Sequence, residues 1–305
     1  MNPKVNIILA TYNGEQFIEQ QLDSIMNQTY DNIDIYVRDD GSKDNTVSVI
    51  NKYKEKSSRK IYLLENGGMN LRCPGSFYEI LNRCEKAEYY ALCDQDDIWY
   101  PQKIQWAVEK MEQEQKDIPL LYYTACDYST ERGEVIRKSP KQKKNMQLKD
   151  VLFYTPGSGF TMVLNEKARQ DFVVNAKPGP ELHDRWLARC AVCFGKLLYD
   201  ERSSASHIRH EAAVTSGDAG NDSLIANFIK AELCGDDAEK EKEALRYFYE
   251  FFKDKLTEDE KKLLKIFCDK NSFAGWWKKV FYPGRLRTRF PGELALRLLF
   301  MIGKI

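Results

Sequence analysis

The 305-residue chain contains no uninterrupted apolar run of 18 residues, so no segment reads as a bilayer-spanning helix. It also lacks net charge. With 46 basic residues against 46 acidic ones, there is no global electrostatic reason to expect a nucleic-acid partner. Histidine is scarce: the three are His183, His207 and His210, close together in the chain. The eight cysteines stand singly except for Cys190-Ala191-Val192-Cys193, which lacks the second pair that a zinc site needs and reads as one turn of a helix. That usage predicts a reducing cytoplasm. Met1-Asn2-Pro3-Lys4 runs directly into "VNIILA", too short an apolar stretch for a secretory signal. No internal repeat is visible. A glycine-lysine loop of the kind that cradles phosphates is missing too.

What is present is an alternation of short β-rich runs with helical ones. "VNIILA" (Val5 to Ala10) reads as a strand, and "EQFIEQQLDSIMNQ" (Glu15 to Gln28) sets Phe17, Ile18, Leu22, Ile25 and Met26 on one helical face. "NIDIYVRDD", "KIYLLEN" and "EYYALCD" continue as strands. "NTVSVINKYKEK" and "GSFYEILNRCEKA" are the intervening helices, and another helix is expected from Pro101. The order βαβαβαβ predicts an α/β fold with a mostly parallel, doubly wound sheet. In such sheets ligands bind at the carboxyl ends of the strands. Three polar clusters fall at those ends: Thr11-Tyr12-Asn13-Gly14, Asp39-Asp40-Gly41-Ser42 and Asp94-Gln95-Asp96-Asp97. Carboxylates gathered around one crevice destabilise the fold unless a cation, hydrogen-bond donors or water offset them.

Farther along, "LLYYTACDYS" is a strand. The basic stretch "RKSPKQKKNMQ" fits either a solvated surface loop or one that closes over an anion. "GSGFTMVLN" reads as a strand entered through a glycine-rich turn, and "GPELHDRWLARCAVCFG" as a helix whose head carries His183 and Asp184. "GKLLYD" and "SASHIRH" read as two short strands. From Asn221 onward the pattern is helical and amphipathic, so residues 1–215 are expected to form one domain and 216–305 a helical extension. From Trp276 to Ile305 seven Lys or Arg accompany one Glu, which makes the tail +6 and the rest −6. Trp276, Trp277, Phe281, Tyr282 and Phe290 suit a membrane interface, and Lys278, Lys279, Arg285, Arg287, Arg289 and Arg297 would attract anionic headgroups. The same segment also suits a helix that caps the core.

The strings "ILATYNGEQFIEQQLDSIMNQTY", "VRDDGSKDNT", "CDQDDIWYPQKI", "GSGFTMVLN" and "LHDRWLA", in this order, resemble the family 2 glycosyltransferases of the GT-A fold, especially their bacterial rhamnosyltransferase-like branch. The resemblance covers roughly residues 4 to 210. It implies a GT-A fold and a metal-dependent inverting transferase using dTDP-rhamnose or a UDP-sugar. The implied acceptor is a saccharide on a cell-surface polysaccharide or a lipid, reached from the cytoplasm or the inner face of the membrane. A divalent cation, Mn²⁺ or Mg²⁺, suits this chemistry because it stabilises a departing diphosphate without a proton donor.

Residue by residue, Asp96 matches the metal ligand of the family's DxD motif, and Asp94 matches its first acid, near the ribose and the metal's waters. Asp39 resembles the acid that meets a pyrimidine base. Thr11 and Tyr12, with Asn13 beside them, resemble the residues that pack on the base, and Asp40 supports the loop. Asp184 matches the general base. His210 matches a histidine that reaches the metal or the diphosphate, with Arg209 beside it as a diphosphate contact. "HIRHE" departs from the branch's aromatic-Arg-Gln-His-Gly string, which puts this loop's path in question. Trp99 and Trp186 fit either flat faces for a sugar or core positions, and Asp97 fits either a third site acid or the acid at a helix start. Two rival classes are a metal-dependent nucleotidyl- or phosphoryl-transfer enzyme and a non-catalytic sugar-binding module.

Overall fold

A computed structural model describes residues 2–208, 237–268, 273–287 and 290–304. The chain divides into two units. The first comprises 1–145, 156–178 and 182–213, and the second 146–155, 179–181 and 214–305.

The first unit opens with β1 (Val5–Thr11), α1 (Ile18–Met26), β2 (Ile33–Asp39), α2 (Thr46–Lys56), β3 (Lys60–Leu64), α3 (Arg72–Arg83) and β4 (Tyr89–Cys93). β1 and β2 are buried on both faces, which explains why they read as near-continuous apolar runs rather than alternating ones. Ile18, Leu22 and Ile25 of α1 pack with Val5, Ile7 and Leu9 of β1 in the main core cluster. Next come β5 (Asp97–Trp99), α4 (Lys103–Met111), β6 (Leu120–Ser129) and β7 (Val135–Lys138). After α5 (Leu148–Val151), which groups with the second unit, follow β8 (Val163–Asn165), α6 (Glu166–Arg169), α7 (His183–Phe194) and β9 (Lys196–Ile208).

The sheet order is β3-β2-β1-β4-β8-β6-β9-β5, with β7 on β6. Pairing is parallel from β3 to β4, as the alternating sequence predicts. Beyond β4 the sheet is mixed: β8 runs antiparallel to β4 and β6, β5 to β9 and β7 to β6, while β6 and β9 are parallel. The β6–β7 return is a tight turn with Gly133 at φ 80°, and a turn that short permits only antiparallel pairing. β9 is one continuous strand, not the two short ones expected. Register shifts against β6 around Thr124 to Asp127 absorb its polar middle.

The second unit holds α5, α8 (Asp237–Phe252), α9 (Glu258–Cys268), α10 (Phe273–Val280) and α11 (Phe290–Met301). Phe153 meets Phe267 and Phe300 edge-on at 5.2 and 5.6 Å, and α11 buries Leu296, Leu299 and Phe300. Part of the expected headgroup-binding charge is used internally. Arg297 pairs with Glu293 at 2.8 Å and donates to the carbonyl oxygens of Val280 and Gly284. Arg287 donates to the Phe153 carbonyl, and Lys279 is buried. What faces outward is Phe290 and the stacked pair Trp277–Phe281, with rings 4.7 Å apart. Among the described residues no helix is long and apolar enough to cross a membrane.

Candidate active site

The parallel register sets Thr11 opposite Asp39 and Leu9 opposite Cys93, so β1, β2 and β4 end nearly level and Asp94 follows at once. The three polar clusters therefore adjoin one another at the carboxyl ends where β1 has neighbours on both sides, the place where such sheets bind ligands.

On the β2 side, Asp39 Oδ1 accepts from the hydroxyls of Thr11 (3.0 Å) and Ser42, and Oδ2 accepts from the N–H groups of Gly41 (3.0 Å) and Ser42 (2.8 Å). These bonds use about the four acceptor sites a carboxylate has, so a base contact by Asp39 would compete with the loop it holds. Asp40 takes the Arg38 guanidinium and the N–H groups of Leu71 (2.8 Å) and Arg72 (2.6 Å). Burial pushes Asp40 up, but those bonds outweigh it and keep the carboxyl below its ordinary range. Asn13 sits at φ 47°, a region asparagine tolerates, donates to Ser42 Oγ and accepts from the Lys43 N–H. Tyr12 stands 46% exposed at the mouth.

In the acid loop, burial and then the charges of Asp97, Asp96 and Asp184 push the Asp94 carboxyl well up. Asp184 lies in the first turn of α7, half-buried, with Oδ1 accepting from the Arg185 N–H at 2.7 Å. Its neighbour His183 is buried, meets the Phe77 ring at a 30° tilt with centroids 4.2 Å apart, and sets Nδ1 3.7 Å from Cys73 Sγ. A Cβ at Gly159 would lie 2.1 Å from His183 Nε2, so the glycine is what lets the head of α7 approach.

The expected site roles of Asp97, Trp99 and Trp186 need correction. Asp97 is neither a helix-start acid nor an open ligand: it lies on β5, 1% exposed, with Oδ1 2.8 Å from His207 Nδ1. Burial raises it to about 6 although His207 and Lys103 oppose. Lys103 is itself fully buried, lowered to about 8 by burial, and donates to Ser204 Oγ. Trp99 and Trp186 offer no face to a sugar, being 2% and 0% exposed. Trp99 lies under the Lys103 ammonium, and Trp186 Nε1 donates to the Phe172 carbonyl at 2.7 Å. Arg209 and His210 fall outside the described residues.

The places of Gln95, His207 and Lys103 are not legible in the sequence. Gln95 shows no signal beyond its place between two acids, and a buried lysine or histidine looks like any other from sequence.

The donor set fits a hard divalent cation: oxygen ligands only, with clustered negative charge that a cation would offset. Among the described residues no three acidic, histidine or cysteine side chains converge as a ready-made cage. Mg²⁺ and Mn²⁺ do not require one, since one or two carboxylates suffice when phosphate oxygens complete the shell.

Residues 6–171 match the family model "Glycosyl transferase family 2". The dTDP-rhamnosyl transferase RfbG of Shigella flexneri is 31% identical over 219 residues, covering 67% of this chain and 72% of that protein. Glycosyltransferases of unassigned activity from Rickettsia felis and Rickettsia typhi also match, and the chain spans 21% and 30% of their lengths. Among solved structures, S. aureus TarS 1-349 in complex with UDP-GlcNAc superposes with a TM-score of 0.57 at 16% identity, over 98% of this chain and 92% of that one. The mannosyltransferase PcManGT of Pyrobaculum calidifontis, in complex with GDP-Man and Mn²⁺, gives 0.56 at 14%, over 99% and 75%. At such identities these two speak for the fold.

Proposed function

This chain belongs to glycosyl transferase family 2, and on that premise we propose a metal-dependent, inverting transfer of a sugar from a dTDP- or UDP-linked donor to a lipid-linked saccharide acceptor. The observation that carries this reading is the acid loop: Asp94 and Asp96 follow directly after the parallel strand β4, and the charge of Asp184, from a separate helix, acts on Asp94. A bound Mn²⁺ or Mg²⁺ would supply Lewis-acid stabilisation of the departing diphosphate. Asp96, with Asp94 behind it, would hold that ion. Tyr12, flanked by Thr11 and Asn13, offers an exposed ring to the base.

Asp184 Oδ1 is engaged by its own helix, which leaves Oδ2 for the acceptor hydroxyl's proton. That proton is taken as the acceptor oxygen bonds the anomeric carbon and the bond from that carbon to the diphosphate breaks, which inverts the centre. Arg209 and His210 are assigned to the diphosphate and metal on the sequence match alone. The name of the Shigella relative favours dTDP-rhamnose as the first donor to try. The outward Trp277, Phe281 and Phe290, with Lys278, suit contact with the anionic inner face of the cell membrane.

The test is incubation with dTDP-rhamnose and UDP-hexoses, with and without Mn²⁺. Slow, metal-dependent release of the nucleoside diphosphate supports the reading. Release of pyrophosphate would point to nucleotidyl transfer, and neither donor binding nor release would leave only a sugar-binding module.

A further inference from the structure

Between the exposed Tyr12 and the acid loop lies one side chain with no role so far. The Gln95 amide reads both backbone groups of Tyr12: Oε1 accepts from the Tyr12 N–H at 2.8 Å, and Nε2 donates to the Tyr12 carbonyl at 3.1 Å. The side chain lies flat along this turn, since a Cβ on Gly14 would come within 2.3 Å of Oε1 and 2.5 Å of Cδ. Gly14 is thus the residue that makes room for the amide. The same turn is fastened to the β2 side through Asn13 to Ser42 and Lys43, and through Gly14 N–H to Thr46 Oγ1 at 2.8 Å. Its bonds toward β4 run through Gln95. That residue stands between Asp94 and Asp96, so the position of its backbone and that of the acids are one thing.

We propose that Gln95 is a positioning residue that couples the two halves of the donor site, transmitting the placement of the acid loop to the Tyr12 turn and back. A cation held by Asp96 would fix the loop, and the two-point amide bond would pass that constraint to the turn that presents Tyr12. Reciprocity follows from linkage: whatever the ion adds to nucleotide affinity, the nucleotide adds to ion affinity. Glutamine suits the role because its side-chain amide offers a donor and an acceptor side by side, whatever the pH, for a peptide group in this orientation. Asparagine is one methylene too short. Glutamate keeps the acceptor and sets a carboxylate against the Tyr12 carbonyl.

This inference rests on the nucleotide-sugar reading of the crevice. The experiment is titration calorimetry of UDP and dTDP on the full chain, in EDTA and in Mn²⁺, for wild type, Gln95→Ala, Gln95→Glu and Gly14→Ala. Wild type is expected to bind more tightly in Mn²⁺ by at least about fivefold, the lower end of ordinary site-to-site coupling. In Gln95→Ala that ratio falls toward one. Gly14→Ala, which displaces the amide without removing it, should do the same, and Gln95→Glu should lie between. A purely structural role would lower melting temperature and both affinities alike, leaving the ratio intact. That outcome, or an unchanged ratio in folded Gln95→Ala, overturns the proposal. Failure of wild type to bind either nucleotide overturns the donor-site reading and this inference with it.

Discussion

Asp96 and Asp97 are neighbours in the chain with opposite surroundings: one is half-buried in the crevice, the other sealed beneath it with His207 and Lys103. Their substitutions should therefore fail differently. Asp96→Asn is expected to lower nucleoside diphosphate release at least about a hundredfold, the scale for losing charge stabilisation in a transition state. Full turnover in excess EDTA would contradict the metal role assigned to it. Asp184→Asn should reduce kcat to near background while the Kd for UDP or dTDP stays nearly constant, because a base acts on the acceptor and not on donor binding. Loss of nucleotide affinity with kcat retained would remove Asp184 from that role. At this scale the sequence was informative about residue type: five aspartates at strand ends were visible as a cluster. It was silent on orientation. Trp99, two residues past Asp97, has the same letters around it whether its ring faces a sugar or a buried lysine, and only the pairing of β5 with β9 turns it inward.

The elements that could be read are those with a period. α1 and the parallel strands β1, β2 and β4 carried their pattern in apolar spacing, and "LHDRW" announced the head of α7. β5 could not be foreseen, because three residues give no period and its partner lies over a hundred positions away. β9 reads as two strands because "DERSS" interrupts its apolar pattern, and the register shifts that accommodate it exist only in the paired sheet. The head of α7 carries a testable consequence. Burial lowers the His183 pKa below its ordinary value of 6.5, although Asp184 opposes, and Nε2 is buried without a hydrogen-bond partner. The unfolded chain thus takes up a proton near pH 6.5 that the folded chain refuses. Stability present above pH 6.5 is therefore lost as pH falls from there through the lower folded value. His183→Gln, which cannot titrate, should show a shallower drop in Tm between pH 7.5 and pH 5 than wild type. Parallel curves would mean that another group governs acid stability.

Across the whole molecule, the +6 tail on a −6 remainder suggested a surface-binding segment, and the alternative was a helix built into the fold. The second unit shows that these are properties of different residues in one segment. Phe300 packs against Phe153 and Phe267, and Leu296 and Leu299 are buried beside it in α11, while Arg287, Arg297 and Lys279 are spent on carbonyl groups, Glu293 and burial. Deleting everything after Asn271 should therefore uncover a core and precipitate the protein, which makes truncation a poor probe of membrane contact. The outward Trp277, at 44% exposure, and Phe281, at 64%, are the better probe. Serine at both positions should leave Tm nearly unchanged, since exposed side chains contribute little to folding. It should also lower flotation with vesicles rich in anionic lipid. About 0.5 M salt should weaken wild-type flotation by screening Lys278 and Arg285, and the double variant should lose what remains, because aromatic insertion is not screened. If the serine variant floats as well as wild type, the aromatic pair is not the anchor. If wild type does not float at all, the tail's charge serves only the fold that α10 and α11 complete.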